Sequence, residues 1–133
     1  MKAADTSVVV AAFASWHEKH EPARLALDEG LSLIEHCALE TYSVLTRLPP
    51  PHRAPGTVVR DFIAARFESE LLRMPPRAHR AFVLGLPEKE ISGGAAYDAL
   101  VAAVAFAHDA ELITCDRRAA VTYERYGINF RLI

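Results

Sequence analysis

The chain has no run approaching the ~18 uninterrupted apolar residues that a membrane span requires. Its start lacks the basic region and long apolar stretch of a secretory leader, which points to a cytoplasmic protein. Cysteine is scarce. Cys37 and Cys115 stand far apart and match no zinc-site spacing, so they read as buried free thiols of a reducing compartment. There is no internal repeat, no low-complexity segment and no interdomain linker; the Pro-rich stretch at 49–55 reads as a loop. The 133 residues are expected to form one domain, 1–133. A chain of this length buries about two thirds of its unfolded surface without staples.

Charge excess is also missing. The net charge of −2 does not advertise nucleic-acid binding by the chain as a whole. Its distribution is uneven. Residues 1–46 hold three Lys/Arg against seven Asp/Glu, whereas 47–80 hold seven Arg (47, 53, 60, 66, 73, 77 and 80) against three acids. An arginine-rich middle beside acidic ends fits a metal site next to a phosphate-binding surface. It fits equally a solvated helical face built from a good helix former.

What is present is a regular alternation of element signals. Met1–Asp5 is a short apolar segment, and Asp5-Thr6-Ser7 supplies favourable N-cap residues for a helix over Val8–Phe13, whose three valines also suit a strand. A helix over Glu18–Glu29 stops at Gly30, and Leu31–His36 reads as a buried strand. Cys37–Leu48 reads as a helix ended by Pro49-Pro50-Pro51. After Pro55-Gly56, the residues Val59, Phe62, Ile63 and Phe67 recur at helical spacing. Leu71–Met74 suits a short strand, Arg77–Leu86 a helix and Pro87–Gly94 a loop. The alanine-rich Ala95–Asp109 is a helix, Leu112–Cys115 a strand, Arg117–Tyr126 a helix and Asn129–Ile133 a last strand. Strands alternating with helices imply an α/β fold, with parallel strands and helices on both faces. In such sheets the working site lies at the carboxyl ends of the strands.

Four acids occupy telling places. Asp98 is the one charge in the run Ala95–Ala107. Asp5 and Asp116 each follow a strand's carboxyl end, and Glu40 lies early in the helix after the second strand. Each also has a plain structural reading, as a helix N-cap or a first-turn acid. The readings are compatible, because a metal ligand can also cap. If the four face one cleft, like charges disfavour their joint ionisation, and a cation or shared protons must hold them. Hard oxygen ligands suit Mg²⁺ or Mn²⁺.

The motifs Asp5-Thr6-Ser7, Glu40, Tyr97-Asp98-Ala99-Leu100 and Leu112-Ile113-Thr114-Cys115-Asp116-Arg117 resemble, in order and spacing, those of the PIN-domain nuclease family. The whole length resembles the small VapC-type toxins of toxin–antitoxin pairs. The resemblance implies a three-layer α/β/α sandwich with a mostly parallel sheet of four or five strands. It implies RNA cleavage dependent on Mg²⁺ or Mn²⁺, with Asp5, Glu40, Asp98 and Asp116 as the catalytic, metal-holding carboxylates. Thr6, Ser7 and Thr114 would stand behind them and orient carboxylates or water. Partners would be an RNA substrate, a VapB-type antitoxin and a second copy of the chain, with Val8, Phe13 and Trp16 as candidate contacts between copies. The resemblance carries no information on residues 49–94.

Two alternatives use the same acids. One is a PIN-like or Rossmann-like module that binds RNA or protein without catalysis, which the presence of all four acids opposes. The other is a haloacid-dehalogenase-like phosphatase, which wants a second Asp where this chain has Ser7. The six histidines are not needed as a base. His17 and His20 read as a solvated helix face, His36 as packing near the site, His52 and His79 as ordinary residues of the basic middle with phosphate contact as the alternative, and His108 as a helix-end cation.

Overall fold

A computed structural model describes residues 1–133. Its sheet has four parallel strands in the order β2-β1-β3-β4 (β1 Lys2–Ala4, β2 Ser32–Leu33, β3 Glu111–Thr114, β4 Phe130–Leu132). Seven helices surround it: α1 Thr6–Phe13, α2 His20–Leu27, α3 Glu35–Arg47, α4 Gly56–Arg66, α5 Pro76–Gly85, α6 Ala95–Ala107 and α7 Arg117–Arg125. Helices α1 to α4 pack on one another in chain order or through α1 and α3, and α6 packs on α7. The result is the three-layer α/β/α sandwich that the alternation of signals predicts.

The strand order places the site. From β1 the chain moves outward to β2, then returns across the sheet to β3 on the other side of β1. Connections therefore leave β1 and β3 in opposite directions, and a crevice opens between their carboxyl ends. The register fixes it. Ala3 and Ala4 pair with Leu112 and Ile113, and the Asp5 amide donates to the Ile113 carbonyl at 3.1 Å. Small side chains make the close packing possible. Ala3 and Ala4 on the central strand and Ala99, Ala102 and Ala105 on α6 are fully buried, so α6 approaches the sheet closely.

Two strands differ from the sequence reading. The one expected over Leu31–His36 shrinks to Ser32–Leu33, because Ile34 is the extended residue that opens α3. The buried apolar run thus ends in helix entry, and His36 lies in the first turn of α3 rather than on a strand end. The strand expected over Leu71–Met74 reduces to one bridge, Ile34 to Leu72, held by Leu72 N–H to Leu33 O at 2.9 Å and Glu35 N–H to Leu72 O at 2.8 Å. Pro75 and Pro76 follow at once and have no amide to extend the pairing. The sheet is accordingly four-stranded.

The helix expected from Glu18 begins at His20, because residues 14–19 form tight turns (His17 N–H to Ala14 O, His20 N–H to His17 O). Val8 is fully buried in the main core, and Phe13 packs edge-on against Phe62 of α4 with ring centroids 5.3 Å apart. Val8 is therefore closed to a second copy, whereas Phe13 is half-buried. No helix is long and apolar enough to cross a membrane.

Candidate metal centre

A cavity of about 600 Å³ opens at the carboxyl ends of β1 and β3, and all four predicted acids line it. Each comes from a different element. Asp5 and Asp116 cap α1 and α7 directly after β1 and β3. Glu40 stands on α3, and Asp98 in the first turn of α6.

Asp5 is the most enclosed, with 4% of its surface exposed. Ser7 Oγ donates to its Oδ1, the Val8 amide donates to the same oxygen at 3.3 Å, and the Tyr123 hydroxyl donates to Oδ2 at 3.0 Å. Burial pushes its carboxyl up, and donors from Ser7, Thr114, Tyr123 and Val8 oppose the shift. Burial and the neighbouring Asp5 also push the Tyr123 phenol well up, so it stays a protonated donor.

Ser7 and Thr114 link the two strand ends. Ser7 Oγ accepts from the Cys115 amide at 2.8 Å and lies 3.4 Å from Thr114 Oγ1, which accepts from the Asp116 amide at 3.0 Å. Asp116 in turn accepts from the amides of Arg118 at 2.9 Å and Ala119 at 3.3 Å, both on Oδ1. One chain of hydrogen bonds therefore runs from the start of α7 to the Asp5 carboxylate.

The other two acids feel their neighbours. Burial, then the charges of Asp116, Asp5 and Glu40, push the Asp98 carboxyl above its usual range. His36, with Nε2 3.5 Å from Glu40 Oε2, holds the Glu40 carboxyl below its usual range. The His36 ring is stacked on Tyr97 at 5.1 Å with the planes 8° apart, which fixes it between α3 and α6. Behind Glu40 the Thr6 hydroxyl is buried and finds no hydrogen-bond partner.

As the side chains lie, no three His, Cys, Asp or Glu gather at metal-holding distance. Mutual repulsion favours that spread. The donor set nonetheless fits a hard divalent cation: four carboxylates share one cavity, one of them is pushed above its usual range by burial and then by the charges of the other three, and an unpartnered hydroxyl lies beside them. Neither thiol competes for a role. Burial raises Cys37 strongly, and burial with Asp5 pushes Cys115 up to about 11.

Several lining residues carried no sequence signal. Tyr123 looks like an ordinary apolar position, one helical turn after the buried Ala119. The cavity's cations are Lys19, Arg117 and Arg118, and none of the seven arginines of 47–80 lines it. Those arginines are spread over α3, α4, α5 and the loops between them, six of the seven exposed, and some form ion pairs, such as Arg66 to Asp28 at 2.8 Å and Arg60 to Asp61 at 2.9 Å. The His17/His20 pair is no metal couple: His17 Nδ1 accepts from the Lys19 amide, and His20 Nδ1 bonds the Ala11 carbonyl. His17 lines the cavity itself.

The fold and site together define a three-layer α/β protein with an acid-lined cleft at its topological switch point. The family model described as PIN domain matches residues 3–125. The chain is 49% identical to Ribonuclease VapC40 of Mycobacterium tuberculosis over 133 residues, which is all of this chain and 99% of that protein. It is 41% identical to Ribonuclease VapC27 of the same organism over 129 residues, 96% of this chain and 93% of that one. The protein belongs to the PIN domain family.

Proposed function

We propose that the protein is a VapC-type endoribonuclease, dependent on Mg²⁺ or Mn²⁺. It would be the toxin of a toxin–antitoxin pair, acting in the cytoplasm and held in check by a VapB-type antitoxin. The observation that carries this reading is the delivery of Asp5, Glu40, Asp98 and Asp116, from four elements, to one cavity at the switch point of the sheet. The full-length likeness to proteins named as VapC ribonucleases supports it. Association as a homodimer belongs to the same reading, and sedimentation showing only monomer at micromolar concentration would count against it.

Asp5, Glu40, Asp98 and Asp116 would hold the ion. When bound, a divalent cation makes water a usable nucleophile near neutral pH and neutralises charge on the phosphate. The chain's own residues prepare the place. Tyr123 keeps a proton at Asp5 Oδ2, so that oxygen is aimed rather than free. Ser7 and Thr114 couple the ends of β1 and β3, so Asp5 and Asp116 are positioned together. His36 restrains Glu40. Lys19, Arg117 and Arg118 set positive charge around the acids, where a phosphate backbone would enter.

The test is cleavage of a structured RNA by the purified protein. Cutting should require Mg²⁺ or Mn²⁺ and stop with EDTA. Asp98→Asn should bring it to the metal-free baseline while the melting temperature stays at or above the parent's, since the substitution removes a repelled charge. Equal cutting by parent and Asp98→Asn would reject the site.

A further inference from the structure

Trp16 does not serve the core. It is 49% exposed, on the turn that follows α1. Its ring lies 4.2 Å from the His52 ring and 5.9 Å from the His17 ring. His17 lines the acidic cavity, so three rings run in sequence from the cavity outward: His17, Trp16, His52. Both outer rings stand on turns that backbone hydrogen bonds close. The Trp16 turn is closed by His17 N–H to Ala14 O at 3.0 Å, and the His52 turn by His52 N–H to Pro49 O at 3.1 Å. Arg53 Nε to Leu48 O at 2.8 Å and Ala54 N–H to Leu45 O at 3.0 Å tie the second turn to α3. Lys19, on the cavity wall, and Arg53, beside His52, add positive charge at either end of the row.

We propose that Trp16 and His52 form a stacking platform for an unpaired base of the RNA substrate, next to the nucleotides held at the acids. The proposal rests on the nuclease reading above and adds a binding subsite to it. Rings suit any base face and select single-stranded over duplex RNA, because paired bases keep their faces covered. Flanking cations suit the phosphates on either side of the stacked base. Turns already closed lose little freedom when a base docks. A protein segment would also find an exposed indole attractive. Continuity with the acidic cavity, through His17 and Lys19, favours the nucleic-acid strand.

Trp16 is the only tryptophan of the chain, so its emission reports this position alone. The protein, in an Asp98→Asn background with Mg²⁺ so that the strand is held uncut, is titrated with an unstructured single-stranded oligoribonucleotide and with a blunt RNA duplex. Binding is read independently by the anisotropy of a label on the RNA. The single strand should quench Trp16 saturably, and the duplex should not. Trp16→Ala should weaken single-strand binding roughly 5- to 100-fold. Trp16→Phe should keep most of it, and His52→Ala should lose less than Trp16→Ala. In the cutting enzyme Trp16→Ala should raise KM and leave kcat near the parent's. Unchanged emission while the RNA binds, or full affinity in Trp16→Ala, would overturn the platform alone and give the ring to a protein partner. No binding of any RNA would overturn the nuclease reading together with it.

Discussion

Tyr123→Phe isolates one hydrogen bond at the heart of the site. The substitution removes a single oxygen, keeps the ring and its edge contact with Phe130 at 6.1 Å, and opens no cavity large enough to matter. What it takes away is the donor to Asp5 Oδ2, leaving that buried oxygen unpaired while Oδ1 keeps Ser7 and Val8. A hydrogen bond to a charged group is worth roughly 1.5–3 kcal/mol. For a chain of this size unfolding entropy is about 0.28 kcal/mol per kelvin, so melting should fall by roughly 5–11 °C. Activity should suffer separately. Losing a partner that orients a metal-holding carboxylate costs roughly 10- to 100-fold in metal affinity or rate. Two assays check this: thermal unfolding without added ion, and RNA cleavage across a Mn²⁺ titration. The expected variant melts earlier and needs more Mn²⁺ for half-maximal cutting. A variant that melts with the parent and cuts at the same Mn²⁺ concentration refutes the claim that Tyr123 aims Asp5.

Glu29 ties β1 to β4, through Arg131 of β4 at 2.8 Å and Lys2 of β1 at 2.6 Å. These partners hold its carboxyl at about 2, against an ordinary value of 4.5. A lowered carboxyl contributes stability that is fully present above about 4.5 and lost as pH falls toward about 2. Glu29→Gln should therefore melt earlier than the parent near neutral pH, and the gap should close on acidification through that window; a gap independent of pH would count against the pairing. Asp116 allows cap and charge to be separated. Asp116→Asn keeps a capping oxygen for Arg118 and Ala119 and should melt near the parent while losing cleavage, whereas Asp116→Ala should also lose roughly 0.5–2 kcal/mol of stability. Cleavage surviving in Asp116→Asn would remove that residue from the site.

The acids and the layers were legible in the sequence because each rests on short-range signals. A strand followed by a turn and an acid is local, and so is one charge in an apolar helix. Asp5, Glu40, Asp98 and Asp116 duly line one cavity. The failures are long-range. Whether Leu31–Ile34 continues as strand depends on where its neighbour β1 ends, and Ala4, the last residue of β1, pairs with Leu33. Leu72 pairs with Ile34 for a single bridge that no window of sequence reveals. Tyr123 reads as core because its ring is core; only its hydroxyl reaches Asp5, from the far end of the chain. Trp16 reads as a contact between copies, yet meets His52 because two separate turns present them to each other. Composition pointed to the arginine-rich middle, whereas the cations that line the cavity itself are Lys19, Arg117 and Arg118.

The capping and ligand readings of Asp5 and Asp116 describe one device. A helix start presents unpaired amides and a partial positive charge, so it favours a carboxylate there. In a parallel sheet with a switch point, the helices after β1 and β3 both start at the crevice. Capping therefore places two carboxylates at the crevice as a by-product of ending two strands. The bonding at Asp116 shows how both tasks coexist: both amides of the cap fall on Oδ1, and Oδ2 takes no part in it. At Asp5 the cap again uses Oδ1, and Tyr123 claims Oδ2. The two carboxylates thus differ in reach. Asp5 is enclosed and fixed, Asp116 is more open and beside Arg118, whose Nε lies 3.9 Å from its Oδ1. Asp98 and Glu40 enter from helix faces with no such tether to the sheet, and Asp98 bears the repulsion of the other three. Positional precision in this site should then come from the strand-end pair, while Asp98 and Glu40 adjust to whatever cation the pair receives.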